Sequence, residues 1–412
     1  MKMKIARGSK ESRNSLLSFL CAFVYYVSYI TRANFAAILA AIIADGVISK
    51  STGGMVVTVS FICYGVGQLI SGWLGDKFNP KSLMTLGLTL TATMNILITF
   101  CTNGIQMCFV WGINGLAQSL LWPPMVKIMS SFMSTERYNK SCVLVNWGSY
   151  IGTITIYLMS PVVISKLGWK PVFYITAGCG LLMSIIWFTA VSAIEKRMNI
   201  EYHNGKKQEH GSLKFDLLPG IILTLIMTAI FLQGTLRDGV TTWVPTYISE
   251  VFHLGSELSI LSGIAIPVFS LVAIRLTLLI FKKSGNQPLS CSFLFFISAS
   301  VGSTLLILFS GMSAVLAIVL FAFIVGCMNG INLILTGFFP AMYAKPENVS
   351  LLSGVLNFMT YLGSAASTYG FAVLSDCFGW NGTIVFWIVL SLLGAAVCMI
   401  AYFYKKRAAA SF

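Results

Sequence analysis

Along the chain, runs of mostly apolar residues alternate with short polar breaks, and each run is about 20 residues or more, enough to cross a hydrocarbon layer of about 30 Å. Twelve runs are read at 15–38, 54–73, 82–101, 105–133, 141–165, 171–194, 215–236, 258–281, 289–311, 313–337, 350–375 and 382–404. Membrane strands would alternate apolar and polar residues with period two, and these runs do not. Helices satisfy their own backbone in lipid, where an open backbone finds no water. The pattern predicts an all-α membrane protein with 12 transmembrane helices.

The longest polar break, EKRMNIEYHNGKKQEHGSLK at 195–214, follows the sixth run. It is read as a cytoplasmic linker between a six-helix bundle at 1–194 and a second at 215–412. An internal repeat supports the division. VNWGSYIG at 145–152 and LNFMTYLG at 356–363 stand 211 residues apart, pairing Asn146 with Asn357, Ser149 with Thr360 and Tyr150 with Tyr361. At the same offset, Gly168 and Trp169 recur as Gly379 and Trp380, ahead of the sixth and twelfth runs. Two matches at one offset point to duplication. Two six-helix pseudo-repeats around a midplane site make the major facilitator fold, which is the fold class expected here.

Charge is scarce. Charged residues make up 10% of the 412 and apolar residues 57%, whereas a soluble domain carries roughly a quarter charged residues. A formal charge of +14 raises the question of nucleic acid, and the placement of the cations answers it. With the polar breaks assigned alternately to two sides, 20 of the 27 cations fall on the side of the N-terminus and three on the other. That asymmetry is the positive-inside rule. It predicts a multi-pass protein of the bacterial inner membrane with both termini cytoplasmic, whose partners are lipid and a small solute rather than nucleic acid. A monomer is expected. The first run is too long for a cleavable signal and is followed by another helix. The ten cysteines show no paired CxxC spacing and read as apolar fillers. No metal or cofactor is expected. Without a nucleophile–base constellation or a phosphate-cradling glycine loop, neither is an enzyme.

Four cations remain within or at the ends of runs: Arg32, Lys127, Arg237 and Arg275. A charge there is costly unless it is paired, snorkelling or functional. All 13 acids are read in breaks or at run edges. The interior cations then lack protein counter-ions, and an anionic ligand is the simplest group to neutralise them. Tyr25, Tyr29 and Arg32 share one helical face by their i, i+4, i+7 spacing. Arg237 is placed at the end of the seventh run. Because the first helices of the two halves are symmetry mates, these arginines are expected to serve one central site. Their planar forks suit phosphate or carboxylate oxygens. The competing reading is a pair of snorkelling arginines. Lys127 and Arg275 are read as structural. Asn146, Ser149, Asn357 and Tyr361 either bond neighbouring helices or line the site.

YYVSYITRANF (25–35), GWLGDKFNPK (72–81), NGLAQSLLWPP (114–124), LRDGVTTWVPTYISEV (236–251), YLG (361–363) and FGWNG (378–382) together resemble the organophosphate:phosphate antiporters of the major facilitator superfamily. The resemblance spans nearly the whole chain. It implies exchange of an organic phosphate, such as a sugar or glycerol phosphate, for inorganic phosphate by alternating access. It assigns the substrate arginines to Arg32 and Arg237, phosphate-site tyrosines to Tyr25, Tyr29 and Tyr361, and a cavity asparagine to Asn146. It also makes Asp76 a conformational latch. There are departures: Gln68 stands where the family typically carries a lysine, Ser149 where the glycerol-3-phosphate transporter has a histidine, and Gly234 where a tyrosine precedes the second arginine. The expected site is therefore less positive than the family norm. Exchange fits the absence of a buried Asp, Glu or His to carry a proton. Two alternatives stand beside it, a proton-coupled symporter of organic carboxylates and a transporter-like sugar-phosphate sensor.

Overall fold

The computed structural model describes residues 2–198, 220–253, 256–309 and 311–410, and among them there is no strand. The helices are α1 (Lys2–Ala44), α2 (Lys50–Lys77), α3 (Pro80–Leu97), α4 (Gly104–Ser119), α5 (Trp122–Phe132), α6 (Thr135–Leu167), α7 (Lys170–Met198), α8 (Gly220–Phe252), α9 (Ser256–Lys283), α10 (Pro288–Leu308), α11 (Ala314–Asn332), α12 (Phe339–Tyr343) and α13 (Val349–Ala410). Among the described residues, 11 helical segments are long and apolar enough to cross a membrane. The fourth expected span is not one of them because it is broken. Pro123 and Pro124 have no N–H to give the preceding turn, so the chain leaves the helix at Leu120–Leu121. The pieces, α4 and α5, have 16 and 11 residues, each shorter than a full crossing.

Sequence and structure also differ at other ends. The polar break between the runs ending at 73 and starting at 82 is mostly helix: α2 runs on to Lys77 and only Phe78 and Asn79 separate it from α3. Asn79 caps α3 by accepting from the Lys81 N–H, and Pro80 takes the first helical position. The tenth span continues past Asn332 through a π-helical turn, Leu333–Phe338, into α12. Residues 199–214 of the expected linker lie outside the described residues.

Contacts divide the chain into two compact units. The first holds the described residues up to 198 together with Ala344–Val355, and the second holds 220–343 and Leu356 onward. The boundary near 344–356 lies elsewhere than a simple division into 1–194 and 215–412 would put it, because the first turns of α13 pack with the first unit. In that unit α1 packs on α6 and α7, α2 on α4, and α3 on α4 and α7. In the second, α11 packs on α8, α9 and α10. The outer faces show Phe19, Phe109, Leu182, Ile185, Leu308 and Val315 to the surroundings. Water would penalise such faces, and hydrocarbon solvates them.

The repeat is geometric as well as textual. Gly168 ends α6 with φ 78° and ψ −178°, and Gly379 interrupts α13 with φ 66° and ψ −177°. Both lie in the left-handed region that favours glycine. The tryptophan after each turns into an aromatic cluster, Trp169 against Phe173 and Trp380 against Tyr247 and Trp243. Two more glycines let the first and fifth helices of each unit cross at backbone contact. A Cβ on Gly152 would lie 2.6 Å from the Tyr26 carbonyl oxygen of α1, and a Cβ on Gly363 would overlap the Phe231 carbonyl oxygen of α8. Tyr26 and Phe231 each stand six residues before an arginine, Arg32 and Arg237. Gly363→Ala is expected to lower stability by about 1–3 kcal/mol through overpacking, read as a lower thermal midpoint in detergent. Gly178→Ala is the control, because nothing lies within 4 Å of a Cβ there. Equal midpoints for the two variants would refute the tight crossing.

Candidate functional site

In the first unit, α1 brings Tyr25, Tyr29 and Arg32 to one face, as their spacing predicts. The Arg32 guanidinium carbon lies 4.2 Å from the centre of the Tyr64 ring and 5.5 Å from those of Tyr29 and Phe61. Rings from α1 and α2 thus surround the cation, and their negative faces stabilise it without cancelling its formal charge. Tyr25 is buried and packs on Tyr29 at 5.9 Å and on Trp122 of α5 at 5.3 Å. Gln68 lies one turn beyond Tyr64 on α2 and is buried. Sequence reading missed Tyr64 and Phe61. They stand four and seven residues before Gln68, and that spacing was the available signal.

What fixes the angle of α1 is a polar clamp one turn before the arginine. The Ser28 hydroxyl donates to Gln118 Oε1 at 2.6 Å, and Gln118 Nε2 donates to Thr31 Oγ1 at 3.0 Å, joining α1 to α4. The second unit repeats the device. Gln233, one turn before Arg237, donates to the Met328 carbonyl of α11 at 3.1 Å, and Asn332 Nδ2 lies 3.4 Å from Gln233 Oε1. In both units the residue four before the arginine is buried and tied to the fourth span.

In the second unit the structure corrects the expected setting of Arg237. The residue lies inside α8 rather than at the end of a run, and it has a protein counter-ion. Nε donates to Asp238 Oδ1 at 2.7 Å and Nη2 to Oδ2 at 2.8 Å. The Ser364 hydroxyl of α13 donates to the same carboxylate. Adjacent opposite charges neutralise one another, so they do not end the helix as two separate charges would. Tyr361 is half-buried, its ring centre 6.0 Å from the Arg237 guanidinium. Gly234 is explained by packing: a Cβ there would overlap the Thr360 carbonyl oxygen, so a tyrosine does not fit.

The polar residues of the repeat are placed differently from one another. Asn146 donates to the Cys142 carbonyl at 2.8 Å, and the Ser149 hydroxyl to the Asn146 carbonyl at 2.7 Å, both within α6. Asn357 is buried on α13, one turn before Tyr361.

Lys127 also has a partner, contrary to the expectation of unpaired interior cations. Its ammonium lies 3.3 Å from Asp76 Oδ1 and donates to the Asp76 carbonyl at 3.0 Å. The Asp76 carboxylate in turn accepts from the backbone N–H groups of Ser350 at 3.2 Å and Leu351 at 2.7 Å. These belong to the first turn of α13, where a helix presents unsatisfied donors and the positive end of its dipole. Gly72 allows the approach, since a Cβ on it would lie 2.9 Å from the Ser350 carbonyl oxygen. Arg275 is exposed on α9 beside Val272 and Leu276.

Residues 19–368 match the model of the Major Facilitator Superfamily. The chain is 25% identical to the membrane sensor protein UhpC of Escherichia coli strain K12, over 89% of this chain and 87% of that protein. It is 26% identical to the glycerol-3-phosphate transporter of Bacillus subtilis strain 168, over 96% of this chain and 94% of that protein. Among solved structures, the proton:xylose symporter XylE, bound to 6-bromo-6-deoxy-D-glucose, superposes with a TM-score of 0.74 at 13% identity. That match covers 97% of this chain and 96% of the symporter chain, and it speaks to the fold alone. The sequence relatives fall in the organophosphate:phosphate antiporter group. This chain belongs to the Major Facilitator Superfamily, whose members are multi-pass membrane transporters and not enzymes.

Proposed function

We propose that the protein exchanges a small organic anion, an organophosphate such as a sugar or glycerol phosphate, for phosphate across the bacterial inner membrane by alternating access, with both termini cytoplasmic. The observation that carries the reading is the matched setting of two arginines. Arg32 and Arg237 each stand on the first helix of a unit, one turn beyond a polar clamp to the fourth span and six residues beyond a glycine crossing. The anion takes both arginines as ligands, with Tyr25, Tyr29, Gln68, Asn146, Ser149, Asn357 and Tyr361 around it. A relative named a glycerol-3-phosphate transporter supports the substrate class.

Asp76 serves as the latch. Its charge is held by Lys127, and it caps the first turn of α13. Breaking the two backbone bonds frees that turn, so the latch tunes the balance of states without touching substrate.

A second reading is a sensor, because a relative covered over most of its length is a membrane sensor protein. Asp238 favours a third, a proton-coupled carboxylate symporter, since it places a titratable carboxylate inside a span. The test is a thermal-shift screen of purified protein against phosphate, sugar phosphates, glycerol phosphate and small carboxylates. Organic phosphates raising the midpoint more than carboxylates support the proposal, and a response to carboxylates alone contradicts it.

A further inference from the structure

Gly234 and Gly363 bring α8 and α13 to backbone contact, and beyond that crossing the two helices leave a pocket of about 410 Å³. Phe231 and Thr235 of α8 form one wall, Ser367, Gly370 and Phe371 of α13 a second, and Phe386, after the Gly379 break in α13, a third. All of these residues belong to the second unit. A Cβ placed on Gly370 would find nothing within 4 Å, so the space in front of this glycine is open. Protein interiors leave few voids wider than a water molecule, and an apolar void of about 150 Å³ already takes up benzene. A pocket of about 410 Å³ is therefore filled from outside.

The chemistry of the lining selects what fills it. Its side-chain polar atoms are the hydroxyls of Thr235 and Ser367, which donate within their own helices to the Phe231 carbonyl at 2.9 Å and the Ser364 carbonyl at 2.8 Å. Water in such a place needs about two to four polar partners. Among the described residues, no charged side chain lines the pocket to hold a headgroup. The depth is that of hydrocarbon: Phe231 and Thr235 lie inside the span Gly220–Val244, and Phe386 inside Cys377–Lys406. The rim is continuous with the outer apolar surface, since Val373 is 40% exposed and Phe386 38%, whereas Ser367 and Phe371 are 1% and 2% exposed. A helix of a second copy, about 10–12 Å across, is too wide to enter. We propose that this pocket is a lipid site that takes one acyl chain of a membrane phospholipid. The chain packs between α8 and α13 and fills the gap that opens beside the glycine crossing. Ser367 bonds to Ser364, which holds Asp238, so the site borders the Arg237 pair through α13.

The test is photolabelling of the full-length protein in phospholipid vesicles that carry a trace of phosphatidylethanolamine with a diazirine in one acyl chain. A second preparation carries the diazirine on the headgroup. Irradiation followed by mass spectrometry locates the adducts. The chain probe is expected to label Ser367, Phe371 or Leu374, the first two of which lie too deep for lipid that only coats the surface. The headgroup probe is expected to leave them unlabelled. Gly370→Leu fills the pocket and should lower the labelling at least about fivefold, while Gly370→Ala should leave it within about twofold of wild type. Labelling of Val315, 70% exposed on α11, should be equal in all three proteins. Chain-probe adducts confined to exposed residues such as Val373 and Phe386 overturn the inference, and wild-type protein alone gives that result if Gly370→Leu does not fold. Pocket labelling that survives Gly370→Leu overturns it, as does equal labelling from the headgroup probe. Loss of pocket labelling as the protein is concentrated in the vesicles overturns it too, and assigns the pocket to a second copy.

Discussion

Arg32→Lys and Arg237→Lys are each expected to reduce anion exchange in proteoliposomes by roughly a hundredfold, while the protein remains folded and inserted. Lysine keeps the charge, so loss of flux isolates the fork. At Arg32 the fork also stacks near three rings, with Tyr64 at 4.2 Å, and a compact ammonium on a flexible stem does not hold that plane. At Arg237 the change has a second consequence. The guanidinium meets both oxygens of Asp238, 2.7 Å and 2.8 Å away, and lysine offers that carboxylate a point contact only. Full uptake by either variant would refute the two-arginine site.

Lys127→Ala is expected to cost about 3–5 kcal/mol, the typical result of leaving one member of a buried pair uncompensated. Lys127 is 3% exposed, and Asp76 would keep its two backbone donors but lose the ammonium 3.3 Å away. The double variant Asp76→Asn with Lys127→Met removes both charges and should recover much of the loss in thermal midpoint. The double variant should also change exchange kinetics, because a neutral amide caps the first turn of α13 less strongly than a carboxylate. A single variant as stable as wild type would show that the pair is not buried as described.

The helices were legible because each must carry its own apolar run, and the duplication because Gly168 and Gly379 need the same positive φ. The fourth span read as continuous because composition does not register a missing N–H. Pro123 and Pro124 were the signal, and their position inside the run marked the break. The site was half legible. Tyr25, Tyr29 and Arg32 obey helical spacing, which survives folding unchanged. Asp238 was misplaced because adjacent charges read as a polar break, although the apolar residues from Val240 to Ile248 showed that the helix went on. The clamps of Ser28 with Gln118 and of Gln233 with Asn332 pair residues roughly a hundred positions apart, and no local pattern announces such contacts. Gly152 and Gly363 closed the repeated motif, yet their role appears only when another backbone lies against them.

Counterflow tests the central claim most directly. Proteoliposomes loaded with labelled phosphate are diluted into buffer with or without an external organic phosphate. Exchange by alternating access predicts that label leaves quickly when the external anion is present and slowly when it is absent, with no requirement for a pH gradient. Binding of organic phosphate without any release of label would contradict transport, and release that ignores the external anion would contradict exchange.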